Sequence, residues 1–173
     1  MIKIVTIAEK RDEKFLREKT RPFKFEGRTA REIGEFIHEM RQSMKEADGV
    51  GLSANQIGYS VRVFVAQVPD NNGHMKFYAV FNPDIEKVSP EKILIEEGCL
   101  SVPGIFGSVP RPERIVLRGF DRNGKKIKFN AWGLLARVFQ HEVDHLDGKL
   151  FIDKAKDLHE FVPREKNIKT IDK

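Results

Sequence analysis

Apolar residues recur at helical spacing between Thr29 and Ala47, where Ile33, Phe36, Ile37, Met40 and Met44 fall on one side of a 3.6-residue repeat. Thr29 followed by Glu32 is the capping-box pattern that opens such a helix. The helix is expected to end near Asp48. There GVGLSANQIG sets three glycines in ten residues and reads as a turn that exposes backbone. From Val61 to about Ile95 the pattern changes to the short β-rich segments VRVFVAQV, MKFYAVFNP and EKILIEE, separated by PDNNGH and EKVSPE. These predict antiparallel strands. RIVLRGF and KKIKFNAW, joined by DRNG, predict a hairpin, with Asn123-Gly124 as its turn signal. Helical spacing returns at Gly133 and runs to about Leu146. A short helix is expected near Lys154 to Phe161, and a frayed tail after Pro163.

No repeat, low-complexity linker or break in composition divides the chain. The expectation is therefore one α+β domain over residues 1–173, with about 154–173 as a C-terminal extension of it. Antiparallel β-sheets would pack around a central helix, with an N-terminal helix and a C-terminal helical tail. The 173 residues suffice to bury a core, and 40% hydrophobic against 33% charged residues, with 13 phenylalanines, excludes a disordered chain. A net charge of +5, from 31 Lys and Arg against 26 Asp and Glu, is mild and interspersed. No basic arm or reading helix appears, so sequence-specific nucleic acid is not an expected partner, although weak attraction to a polyanionic assembly is compatible with the charge. No run of about 18 apolar residues could span a membrane. The N-terminal stretch lacks a signal-peptide pattern, and one cysteine permits no internal disulfide, so a reducing, cytoplasmic setting is expected.

The chemistry concentrates in FQHEVDHLDGKLF, where His141, Glu142 and His145 spell His-Glu-x-x-His. Four residues along a helix rise about 6 Å and return to nearly the same face. Two imidazoles can then share one ion, with Glu142 beside them to move a proton. Val138 and Leu134, three and seven positions before His141, make the upstream face apolar, as befits the wall of a dry pocket. A further protein ligand is needed. Extension to His-Glu-x-x-His-x-x-Gly-x-x-His finds Gly148 but ends on Phe151, which removes the metzincin pattern. A peptidase pattern with a downstream glutamate would have Glu160 or Glu165 to draw on. The single cysteine, Cys99, sits in EEGCLSVPG between a glycine and a Pro-Gly turn. A lone cysteine suits a small buried position, but a thiolate with two imidazoles is also a sound set for Fe(II) or Zn(II) that leaves a fourth position open.

Three motifs stand in order: GVGLSANQ from Gly49 to Gln56, EGCLS from Glu97 to Ser101, and QHEVDHLDG from Gln140 to Gly148. With the leading helix, VPR at Val109 to Arg111 and GLLAR before the third motif, the chain resembles the peptide deformylase family over nearly its whole length. The resemblance implies a metal-dependent hydrolase that removes the N-formyl group from the N-terminal formylmethionine of newly made polypeptides and releases formate. It implies one divalent ion on Cys99, His141 and His145. Fe(II) would be the usual ion in the cell, with Zn(II), Ni(II) or Co(II) able to take its place. Glu142 would carry the proton, while the Gln56 amide and the Leu100 backbone N–H would donate to the developing oxyanion. Segments around Val50, Gly51 and Gly98 would pair with the peptide in β fashion, and Val50, Leu134 and Val138 would take the methionine side chain. Glu97, beside the site, would pair with a basic group, Arg111 being the nearest, and Asp144 would serve a structural role.

The implied partners are formylmethionyl peptides and nascent chains, with docking to the ribosome near the tunnel exit left open. Three positions depart from the family pattern. Ser53 stands where alanine is usual, Asn55 occupies a variable position, and Phe106 stands where some members carry an arginine that touches the peptide. Two alternatives remain: a His-Glu-x-x-His zinc peptidase with another third ligand, and a catalytically silent relative that binds nascent N-termini.

Overall fold

A computed structural model of the protein describes residues 3–70 and 72–160. Helix α1 spans Lys10–Leu16 and α2 spans Ala30–Glu46. Strands β1 (Gly51–Ser53), β2 (Val63–Pro69), β3 (Met75–Val88), β4 (Lys92–Cys99), β5 (Val102–Pro112), β6 (Arg114–Phe120) and β7 (Lys126–Trp132) follow. Helix α3 (Gly133–Leu146) and strand β8 (Lys156–Glu160) complete the described chain. The strands form two antiparallel sheets, one ordered β1-β2-β3-β6-β7 and the other β4-β5-β8. The architecture is α+β, with α3 between the sheets, in contact with β1, β2, β3, β6 and β7 on one side and β5 on the other.

The period-two alternation of β2 assigns its two faces. Phe64, Ala66 and Val68 pack with Phe139, Val143 and Leu146 of α3, whereas Val63 and Val65 pack with Ile33, Ile37, Met40 and Met44 of α2. A strand covered on both faces needs apolar residues at successive positions, which is why VFVA is uninterrupted. Helix α2 starts at the expected place. Thr29 Oγ1 accepts the Glu32 N–H at 3.2 Å, and Glu32 Oε2 accepts the Thr29 N–H at 2.7 Å. The hairpins β2–β3 and β6–β7 close through matching D-x-N-G-x loops. Asp70 Oδ1 accepts the Asn72 and His74 N–H groups at 2.8 and 3.0 Å, and Asp121 Oδ1 accepts those of Asn123 and Lys125 at 2.8 and 2.9 Å. Gly73 and Gly124 supply the positive φ that each loop requires.

Three expectations are corrected. The helix expected near Lys154 to Phe161 is strand β8 from Lys156, preceded by a 3₁₀ turn at Phe151–Asp153; Phe161 and the expected tail lie outside the described residues. Strand β5 offers a free edge there, and Phe106 and Ser108 take His159 and Lys156 as partners, so pairing overrides local helical spacing. The stretch GVGLSANQIG is not a plain exposed turn: β1 and a 3₁₀ turn at Ala54–Ile57 are buried throughout, and only its ends, at Val50 and Gly58, are exposed. The Pro-Gly turn after Cys99 is part of β5, reached by a tight turn at Leu100 and Ser101, although prolines and glycines argue against a strand. Helix α1 had no clear apolar repeat to announce it.

Replacing Thr29 with alanine removes half of the α2 capping box. The expected loss is about 1 kcal/mol of unfolding free energy, read as a lower urea midpoint at unchanged slope.

Candidate metal centre

Helix α3 presents His141 and His145 one turn apart, and the hairpin β4–β5 brings Cys99 to them. Their ligating atoms all lie within 4.8 Å of one another. Cys99 Sγ is 3.1 Å from His145 Nε2. His141 Nδ1 is 3.0 Å from Glu97 Oε2, which fixes the ring so that its other nitrogen serves the centre. Burial raises the Cys99 thiol, but the two histidines outweigh it and hold the thiol well below its usual range. Burial would likewise strip the proton from His141, yet Cys99, Glu97 and the Glu142 charge push it up to about 10. The pocket therefore draws positive charge toward these donors. That preference, with one thiolate and two imidazoles converging, fits a bound divalent cation.

Glu97 is the anchor of the surroundings. The residue is 7% exposed, and its carboxylate accepts Arg111 Nε and Nη2 at 2.6 and 2.9 Å and Arg137 Nη1 at 2.6 Å, besides facing His141. Burial pushes this carboxyl up, but His141 and Arg111 pull it down to about 2. Arg111 Nη1 donates on to Asp144 Oδ2 at 2.7 Å, which also receives Lys154 Nζ at 2.7 Å. The expected Arg111 partnership is present. Arg137 was not singled out in the sequence, although it stands four positions before His141 on the same helix face, so this wall is not wholly apolar.

Glu142 lies within the core side of the centre, and burial pushes its carboxyl up against the pull of His141 and His145. Its Oε2 accepts the Ser53 hydroxyl at 2.7 Å. A Cβ on Gly51 would collide with Glu142 Oε1 and press on Val138, so the first motif needs glycine there for close approach. Gln56 is held at both ends: Oε1 accepts the Ser53 N–H at 2.9 Å, and Nε2 donates to Ser101 Oγ at 3.1 Å while standing 3.7 Å from Cys99 Sγ. A cavity of about 520 Å³ opens over the centre. Val50, Gly51, Gln56, Glu97, Gly98, Cys99, Leu100, Leu134, Val138, His141 and Glu142 all line it; His145 sits behind, 1% exposed. Val50 and Leu134 are half exposed at its mouth, whereas Val138 is buried. Glu160, a candidate peptidase ligand, is exposed at the end of β8 opposite Ile105, and Glu165 lies outside the described residues.

An α+β scaffold that gathers a Cys-His-His donor set beside a buried glutamate under an open cleft defines a metal-dependent hydrolase. The chain belongs to the polypeptide deformylase family, whose model matches residues 1–161. It is 48% identical over 119 residues to a peptide deformylase of Syntrophomonas wolfei, covering 69% of this chain and 74% of that one. Among solved structures it resembles the Met-Ala-Ser-bound class I type b peptide deformylase of Acinetobacter baumannii, with a TM-score of 0.80 and 30% identity over 89% of this chain and 98% of that chain. It also resembles a Synechococcus elongatus peptide deformylase in complex with actinonin, with a TM-score of 0.79 and 32% identity over 90% and 81% of the respective chains.

Arg111→Leu leaves Glu97 and Asp144 without their shared cation inside the protein. The expected cost is about 3–5 kcal/mol in unfolding free energy, measured by denaturant titration.

Proposed function

We propose that the chain hydrolyses the N-formyl group of formylmethionyl peptides and nascent chains in the cytoplasm, releasing formate. The observation that carries this reading is the convergence of Cys99, His141 and His145 within 4.8 Å, with Glu142 buried beside them at the floor of a peptide-sized cleft. Cys99, His141 and His145 would hold one divalent ion, Fe(II) in the cell with Zn(II), Ni(II) or Co(II) by replacement, which when bound would supply Lewis-acid chemistry toward water and the formyl carbonyl. Glu142 takes the proton of the attacking water and passes it to the departing amine, a role suited to a carboxyl raised by burial. The Gln56 amide and the Leu100 backbone N–H donate to the carbonyl oxygen as it gains charge; the two-ended hold on Gln56 supports this by leaving its amide little freedom to turn.

Backbone geometry supports an extended peptide. The Gln67 N–H donates to Val50 O at 2.8 Å while Gly51 stands opposite Ala66, so Gly51 occupies a non-hydrogen-bonded position of β1–β2 and turns its own N–H and C=O away from β2. Strand β4 is an edge of its sheet, and Arg137 Nη2 takes Ile93 O at 2.7 Å. Alternation from Ile93 gives Glu97 a backbone on that same edge, beside Gly98. A peptide between β1 and β4 pairs with both. Val50, Leu134 and Val138 receive the methionine side chain, with Val138 as the dry inner wall and the other two at the rim. Among the described residues no helix is long and apolar enough to cross a membrane.

Formate release from formyl-Met-Ala-Ser, with metal content measured in parallel, tests the assignment. Cys99→Ala is expected to lose the metal, while Glu142→Ala keeps it and loses roughly 10²–10⁴ in kcat. Absence of formate release, with metal retained by Cys99→Ala, would count against the whole reading. Anaerobic iron loading should raise turnover well above that of the zinc form, since an Fe(II)-thiolate centre is oxidation-sensitive and aerobic preparations exchange it. Equal rates for the two forms would refute the iron assignment.

A further inference from the structure

Ser53 is fully buried at the end of β1, and its hydroxyl meets two oxygens of one residue, Glu142 Oε2 at 2.7 Å and the Glu142 main-chain O at 2.9 Å. Among the described residues it is the only hydrogen-bond partner of the Glu142 carboxylate. The other carboxylate oxygen, Oε1, lies against Gly51 in the cleft wall. The two oxygens therefore have different surroundings: Oε2 is tied to the core through a neutral donor, and Oε1 lies against Gly51, a residue that lines the cleft together with Glu142. The tether spans 89 positions of sequence and joins β1 to α3.

We propose that Ser53 is a positioning residue that anchors Glu142 through Oε2, so that Oε1 alone handles the proton in deformylation. The inference rests on the proton-carrier role given to Glu142 above. As the water oxygen bonds to the formyl carbon, the water O–H bond breaks and the proton passes to Oε1. It leaves Oε1 for the amine nitrogen as the C–N bond breaks. Throughout, the hydroxyl keeps an acceptor. It donates to Oε2 or swings to the Glu142 main-chain O. None of these changes moves a heavy atom. A glutamate without the tether has three free torsions with which to leave the line between water and amine, and misplacement of about 1 Å is enough to slow such a step strongly.

The test is a kinetic cycle on the metal-loaded enzyme with formyl-Met-Ala-Ser, using Ser53→Ala, Glu142→Asp and the double variant. Ser53→Ala is expected to lower kcat roughly 10-fold, with KM within twofold and metal content unchanged. In Glu142→Asp the shortened carboxylate is withdrawn from the hydroxyl, so Ser53→Ala should change that variant's kcat by less than twofold. A Ser53→Ala enzyme with parental kcat beside a slow Glu142→Asp would overturn this inference alone. Equal slowing by Ser53→Ala in both backgrounds would also overturn it, by showing an effect that does not pass through Glu142. A Glu142→Asp variant as fast as the parent would overturn the proton-carrier reading and this inference with it.

Discussion

A single carboxylate, that of Glu97, organises the region around the metal ligands. Removing a charge from water costs several kcal/mol, and at Glu97 this is offset only because Arg111, Arg137 and His141 reach it at once. Each partner belongs to a different part of the fold: β5, the first half of α3, and the ligand-bearing half of α3. The carboxylate therefore fixes where α3 lies against the smaller sheet, and with it the distance from His141 and His145 to Cys99, two residues after Glu97 on β4. The requirement to satisfy one buried anion thereby becomes the geometry of a metal centre.

Helix α3 is held by different forces on its two sides. Toward the five-stranded sheet, Phe139, Val143 and Leu146 meet an apolar wall that includes Phe64 and Tyr78. Toward the three-stranded sheet the contacts are charged and directional, through Arg137, His141 and Asp144. Apolar packing tolerates small sliding, whereas forked guanidinium–carboxylate pairs do not. The oily side supplies most of the adhesion and the charged side the register, a division of labour that suits a helix whose side chains must meet a cysteine from another sheet.

Much of this was legible in the sequence. Periodicity located α2 and α3, the Thr29 capping box located the start of α2, and the four-residue spacing of His141 and His145 gave their common face. The places of Cys99 and Gln56 beside α3 were expected from motif resemblance, since no local pattern ties residues in β4 or the Ala54–Ile57 turn to α3. What was missed depended on partners distant in sequence. Strand β8 forms because β5 has an edge to fill, and β5 forms despite its prolines because neighbours pair with it on both sides. Arg137 reads as an ordinary exposed helix charge until Glu97 is placed beside it. The purpose of Ser53 appears only once β1 is laid against α3, and the buried Gly-rich stretch resembles a loop until Glu142 is seen to occupy the space a side chain would fill.

The paired D-x-N-G-x loops bear on how the larger sheet assembles. Each loop carries its own closure, an aspartate that gathers two N–H groups and a glycine that turns the chain, so the registers of β2–β3 and β6–β7 are set within a few residues of sequence. Between these two ribbons runs the β4–β5 hairpin, which brings Cys99 with it. The one long-range seam is β3–β6, and its register shifts twice. Chain-closure entropy thus falls mainly on a single joining step, the docking of two preformed ribbons around an intervening third.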